Sequence, residues 1–213
     1  MERLQSNNAE YSSSRLEAFS DGIFAIAITL LVLNIQLPEN ASEITINKAL
    51  QLSVPKLEVW IISFLIVGGM WMRHHKLLKQ VAIIDALFVK LNLIYLMFVT
   101  VIPWLVSLIV IYDNNPLAIV VFSGTITLLG FINLFMWIYL AKIKKALCAN
   151  VSIFDKKITL LNSIIYIFIS LGTIFIAYKI SNSVALYCYI LNPVIGVMLT
   201  YACKKLFVGH LII

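Results

Sequence analysis

The chain has 213 residues, 62% of them hydrophobic and only 12% charged, where ordinary soluble domains carry about 25% charged residues. With a mean hydropathy of +0.98, a soluble globular domain is excluded and an all-α integral membrane protein is expected. The net charge of +6 would suit a nucleic-acid partner, but the placement of the basic residues accounts for it without one.

Residues 1–14 are polar and serine-rich and read as a cytosolic tail. The first span covers about 15–37 and should stop at Pro38. Its apolar run resembles in length the core of a signal peptide, but Glu17 and Asp21 stand where a basic flank belongs and no cleavage site follows, so a retained helix is expected. From Gly22 to Leu33 the run is shorter than the roughly 20 residues of a lipid-facing helix. Carboxylates at one end, and Asn34 with Gln36 at the other, point to a helix surrounded by protein or lining a water path.

Residues 39–55 read as a polar loop in which Ile44–Leu52 could form a short interfacial helix. The second span covers about 56–72, with Gly68 and Gly69 allowing close approach; Arg73-His74-His75-Lys76 and Lys79 mark its polar exit. The third, about 85–112, contains Pro103, which should kink it. Asp113-Asn114-Asn115-Pro116 is a turn with proline placed to start the fourth span, about 116–140. A basic loop, Lys142–Lys157, leads to the fifth, about 158–179. Ser181-Asn182-Ser183 leads to the sixth, about 184–203, broken at Asn192-Pro193. Residues 15–213 are thus expected to form one domain of six transmembrane helices without an internal repeat.

The basic residues divide unequally. Arg3, Arg15, Arg73, Lys76, Lys79, Lys90, Lys142, Lys144, Lys145, Lys156, Lys157, Lys204 and Lys205 fall on one side, and Lys48, Lys56 and Lys179 on the other. Thirteen against three is a strong positive-inside signal, with both termini cytosolic in a multi-pass cell-membrane protein. Cys148, Cys188 and Cys203 form no CxxC pair and read as small packing residues rather than a disulfide framework or metal site.

On a helical wheel of the first span, Phe19, Ile23, Thr29, Leu30 and Leu33 fall within about 60° of Ile26, whereas Asp21 and Glu17 fall about 140° and 180° away. One face is branched-aliphatic with a hydroxyl at its edge, and the other carries the carboxylates. The apolar stripe fits either ordinary packing and lipid contact or a hydrophobic constriction, with rings of Ile26, Leu30 and Leu33 from several subunits gating by dewetting.

Arg15-x-x-x-Phe19-Ser20-Asp21, followed by Gly-Ile-Phe-Ala-Ile-Ala-Ile-Thr-Leu-Leu-Val-Leu, resembles the first helix of the transmembrane protein 175 family of potassium channels, in its single-repeat prokaryotic form. The Trp71-x-x-His74-His75-Lys76 cluster resembles the family as well. The resemblance implies a homotetramer whose first helices line the pore, with the constriction at Ile26 and Thr29 and Leu33 on the same path. It also implies that Phe19-Ser20-Asp21 is a packing and hydrogen-bonding unit. Asn34 departs from an acidic residue expected there, which bears on cation attraction at the outer mouth.

Asp21 is the carboxylate best placed within a span. It fits either an acceptor in a network with Arg15, Ser20 and a histidine, or the coupling site of a proton-coupled secondary transporter. His74 and His75, adjacent on a helix, diverge too far to chelate a metal and suit interfacial hydrogen bonding. Asn92, Asn133 and Asn162 suit interhelical bonds. No nucleophile–base pair or phosphate loop is present, so an enzyme is not expected, and no cofactor is implied beyond permeant potassium. The Thr-Val-Gly-Tyr-Gly carbonyl filter is also absent. The expected function is a potassium-preferring channel with an aliphatic gate, and the expected partners are further copies of the chain, lipid and potassium ions.

Overall fold

A computed structural model describes residues 13–37, 44–81, 84–143 and 151–191, together with 195, 198 and 201. The long apolar runs fold as α1 (Ser13–Leu30), α2 (Ile46–Lys79), α3 (Ala86–Ile111), α4 (Pro116–Ile138) and α5 (Ile153–Lys179), with a short α6 (Asn182–Tyr187). A 3-10 turn, Leu31–Asn34, extends α1; a π-helical turn, Tyr139–Ile143, extends α4; a second 3-10 turn, Cys188–Ile190, follows α6. Five of these helices are long and apolar enough to cross a membrane. The Asn192-Pro193 break of the expected sixth span, Cys148, Cys203 and most of the N-terminal tail lie outside the described residues.

The starts of three helices follow from their capping side chains. Asp85 accepts from the Phe88 amide at 2.9 Å ahead of α3, and Asn115 accepts from the Leu117 amide at 2.9 Å with Pro116 opening α4. Both satisfy a backbone donor that has no intrahelical partner. Ser152 does the same for α5, accepting from the Asp155 amide at 3.0 Å, so that helix begins at Ile153 rather than near Ile158. The third connection, between α3 and α4, behaves as its Asn-Pro pair suggests.

Helix α2 begins at Ile46, ten residues before the expected Lys56, and takes in the segment read as a loop. Pro55 lies inside it. The missing N–H removes one bond of the ladder, yet helix continues on both sides. At 1.5 Å per residue the 34 residues measure about 51 Å against a hydrocarbon core of about 30 Å. The helix is therefore longer than the span within it. Helix α1 gives up its α-geometry after Leu30, well before Pro38. The chain beyond it is fastened instead, since Lys56 Nζ donates to the Gln36 carbonyl at 2.7 Å.

Helix α1 packs on α2 and α3, α3 on α4, and α4 most extensively on α5. The α4–α5 seam carries buried hydroxyls. Thr127 and Ser170 lie 2.9 Å apart, as do Ser123 and Thr173, and Tyr189 joins Thr173 at 3.2 Å. Interhelical bonds of this kind are each worth about 0.6 kcal/mol in membrane proteins. Close approach at the same seam depends on Gly130: a Cβ there would meet Ile167 Cγ1 at 3.0 Å and Tyr166 Cδ1 at 3.2 Å, whereas one at Gly124 would meet nothing within 4 Å. Gly130→Val should therefore destabilise the protein by about 1–3 kcal/mol through overpacking, read as a lowered melting temperature in detergent, while Gly124→Ala leaves it unchanged or raised. Equal behaviour of the two variants would remove Gly130 as the contact that sets the seam.

Candidate functional site

Helix α1 has two faces. Leu16, Ser20, Phe24, Ala27 and Leu31 recur at helical spacing and are buried against the bundle. On the other side Phe19, Ile26, Leu30 and Leu33 are 50%, 60%, 41% and 63% exposed. Thr29 is exposed between them, and Ile23 is half-buried at the edge, packed against the core. The structure thus brings Ile26, Thr29, Leu30 and Leu33 together on one unpartnered face. The Thr29 hydroxyl donates to the Ile26 carbonyl at 2.9 Å, a local bond that leaves its oxygen as an acceptor toward the open side.

The rotation of α1 is set by polar contacts on its other side. Asp21 Oδ1 accepts from the Trp71 indole N–H at 2.8 Å. Indole is a donor only, so this pairing suits a carboxylate within a span. The Ser20 hydroxyl donates to the Leu16 carbonyl at 2.8 Å and accepts from the Asn92 amide at 3.2 Å. His75 Nδ1 lies 3.1 Å from Glu17 Oε1 and 3.7 Å from Asp21 Oδ1. Its ring packs on Trp71, with centroids 5.4 Å apart. Arg15 stands exposed and, among the described residues, makes no ion pair, and Ser20 bonds Leu16 and Asn92 rather than Asp21. Of the partners expected for Asp21 only a histidine, His75, lies beside it, and Trp71 supplies the donor.

The two histidines diverge as adjacent helical residues must. His74 is buried, stacked on Tyr95 at 4.6 Å with an interplanar angle of 8°, and tilted against Phe24 at 5.7 Å. His75 Nδ1 stands at ion-pair distance from the carboxylates of α1 without a formed hydrogen bond, and His74 packs aromatically between α1 and α3. Asn92 is interhelical, as expected, through Ser20, and the amide nitrogen of Asn133 is buried without a hydrogen-bond partner. Asn34 donates to the carbonyls of Leu31 and Pro103, both at 3.2 Å, so its side chain is turned to α3. Ligand atoms of Glu17, Asp21 and His75 lie within 4.8 Å of one another. That set offers two carboxylates and one imidazole, suitable donors for a divalent cation. Pairing His74 with His75 in the sequence missed it, since Glu17 and Asp21 approach only after α1 and α2 pack.

Removing the indole donor should isolate this anchor. Trp71→Phe leaves the part-buried Asp21 carboxylate without its donor and should cost about 1–3 kcal/mol. The same change in an Asp21→Asn background should cost less, with a coupling of at least about 0.5 kcal/mol in chemical denaturation. An additive cycle would show that the pair does not hold the helix.

A family described as endosomal/lysosomal potassium channel TMEM175 matches residues 15–103, the stretch containing α1, α2 and most of α3. A potassium channel of Streptomyces collinus is 45% identical over 92 residues, covering 43% of this chain and 45% of that protein. An endosomal/lysosomal proton channel TMEM175 of Danio rerio is 29% identical over 136 residues, covering 63% of this chain and 26% of that protein. The chain spans about half the length of the bacterial relatives it matches. The crystal structure of a lysosomal potassium-selective channel TMEM175 homolog from Chamaesiphon minutus superposes with a TM-score of 0.75 at 25% identity, covering 88% of this chain and 97% of that one. With apolar helices arranged as in that structure, the chain is a multi-pass membrane protein, and its residues 15–103 are similar in sequence to the TMEM175 family.

Proposed function

We propose that the protein is a potassium-preferring cation channel of the cell membrane, built as a homotetramer with both termini cytosolic and α1 of each copy lining the central pore. The unpartnered Ile26–Thr29–Leu30–Leu33 face of α1 carries this reading, in a chain whose relatives bear the names of channels. Ala18, Gly22 and Ala25 flank that face and are exposed, and a Cβ at Gly22 would meet nothing within 4 Å. Small residues of this kind let a neighbouring helix approach closely, which favours other copies of the chain over lipid on this side.

Rings of Ile26, Leu30 and Leu33 cannot replace the water around an ion. Passage therefore costs part of the dehydration energy, which is lower for potassium than for sodium, and a narrowed ring empties of water and stops conduction. Thr29 suits the same path. Its proton is held by the Ile26 carbonyl, so its lone pairs are what a partly dehydrated cation would meet. Asp21, paired with Trp71 on the opposite side, serves as anchor rather than as pore group.

A second reading keeps Asp21 as a proton-handling residue. It rests on the proximity of Glu17, Asp21 and His75 and on the proton-channel name of the Danio rerio relative. It predicts pH-coupled flux that disappears in Asp21→Asn with the fold intact.

Purified protein in liposomes should pass potassium faster than sodium and without saturation, and absence of any ion flux would overturn the channel. Ile26→Asn, which wets the ring, should raise sodium permeability several-fold; an unchanged reversal potential in bilayer recordings would remove Ile26 from the path. The native mass in detergent should be that of four chains, and a clean monomer would eliminate the α1 pore.

A further inference from the structure

Away from the α1 face, helices α2, α3, α4 and α5 line a small, partly open cavity of about 10 Å³, with Arg73, Tyr95, Asn133, Ser163 and Tyr166 around it and Gly130 at its wall. That is room for one water-sized occupant. The guanidinium of Arg73 lies over the Tyr166 ring, its central carbon 3.4 Å from the ring centroid. A cation–π contact of this kind leaves N–H donors of the guanidinium for other partners.

The other groups present donors as well. The Asn133 amide nitrogen and the Tyr166 hydroxyl are buried without a hydrogen-bond partner, and Tyr166 is only 4% exposed. Ser163 spends its proton on the Thr159 carbonyl at 2.9 Å. Among the described residues no carboxylate pairs with Arg73. Glycine at 130 lets the Tyr166 ring come this close, since a Cβ would lie 3.2 Å from it. The result is a cation with an amide N–H and a phenolic O–H around a space of one small sphere. Buried donors need acceptors, and the half-buried Arg73 cation draws a counter-charge toward the same space.

We propose that this cavity is a binding site for a monatomic anion of the chloride class, held by the Arg73 guanidinium, the Asn133 amide and the Tyr166 hydroxyl. The inference is independent of the channel reading and concerns a charge that neither the pore face nor the α1 anchor uses. An anion here would tie α2 to α4 and α5 through one shared acceptor. It would also neutralise the residue adjoining His74 and His75, which position α1.

The test uses full-length protein in detergent at fixed potassium, melted in chloride, bromide and gluconate salts. A specific site stabilises by mass action, so the melting temperature should rise with chloride and saturate. A tenfold excess over the dissociation constant should give a shift of several degrees for a chain of this size. Bromide should substitute, gluconate should not, and a bromide-soaked crystal should show an anomalous peak within hydrogen-bonding distance of Arg73 and Asn133. Arg73→Met should abolish the chloride dependence. Should it fail to fold, Asn133→Leu, which fills the cavity and removes one donor, should fold and lose the same dependence. Equal melting in chloride and gluconate, no bromide peak, or a chloride dependence retained in Asn133→Leu would overturn the proposal and leave the cavity to water.

Discussion

Helix α1 is fastened at both ends and left open along one side, and the rest of the structure depends on that constraint. Toward α2, Asp21 meets Trp71 and the Gln36 carbonyl meets Lys56. The two ties are fifteen residues apart on each strand of the pair, in opposite directions, about 22 Å at 1.5 Å per residue. Toward α3, Ser20 meets Asn92 and Asn34 meets the Pro103 carbonyl, and these run in the same direction. An antiparallel neighbour and a parallel neighbour thus fix the height and rotation of α1. Between the ties the contact is apolar, through Phe24, Ala27 and Leu31. Hydrophobic burial gives little direction in lipid, where tails are as apolar as leucine. The polar ties therefore decide which face of α1 turns inward.

Much of this was legible in the sequence. The two faces of α1 follow from 100° per residue, and the exposed and buried residues fall as the wheel places them. The Asp85 and Asn115-Pro116 signals mark where α3 and α4 begin, because capping is a local event. The early start of α2 was not legible. Proline inside a helical pattern ordinarily signals a boundary, and only the structure shows the helix running through Pro55. The partners of Ser20 and Asp21 were hidden for a different reason: they lie 72 and 50 residues away, and no period in a single sequence reports such a pairing. The different surroundings of the two histidines were hidden as well, because adjacency in sequence conceals that the His74 ring packs on Tyr95 and Phe24 while His75 faces carboxylates.

The remaining helices are held by a different chemistry. In α4, α5 and the turn after α6, small side chains and hydroxyls replace the carboxylate and indole of the α1 anchor. Hydroxyls can satisfy themselves on their own helix, as Thr127 does on Ser123 and Ser163 on Thr159. Such bonds strand nothing if the seam opens slightly. The Asp21 carboxylate has no such local refuge. The energetic asymmetry places the strict geometry at α1 and the tolerant geometry at α4 and α5, in keeping with the family match falling on residues 15–103.

Fastening at both ends also limits how a gate of α1 side chains could work. A helix free at one end can rotate as a rigid rod, but α1 cannot turn its Ile26 face without straining Asp21–Trp71 or Asn34–Pro103. Rotation of the middle must then be absorbed as a change in winding. The segment suited to it is Leu31–Asn34, already wound as a 3-10 turn. At three residues per turn rather than 3.6, each residue there advances about 20° further than in an α-helix. Converting that turn to α-geometry would shift Leu33 relative to Ile26 with Asp21–Trp71 held, at the expense of the Asn34–Pro103 tie at its end. Under the proposed channel reading, the upper ring moves against the lower one, and the anchor at Asp21 stays fixed.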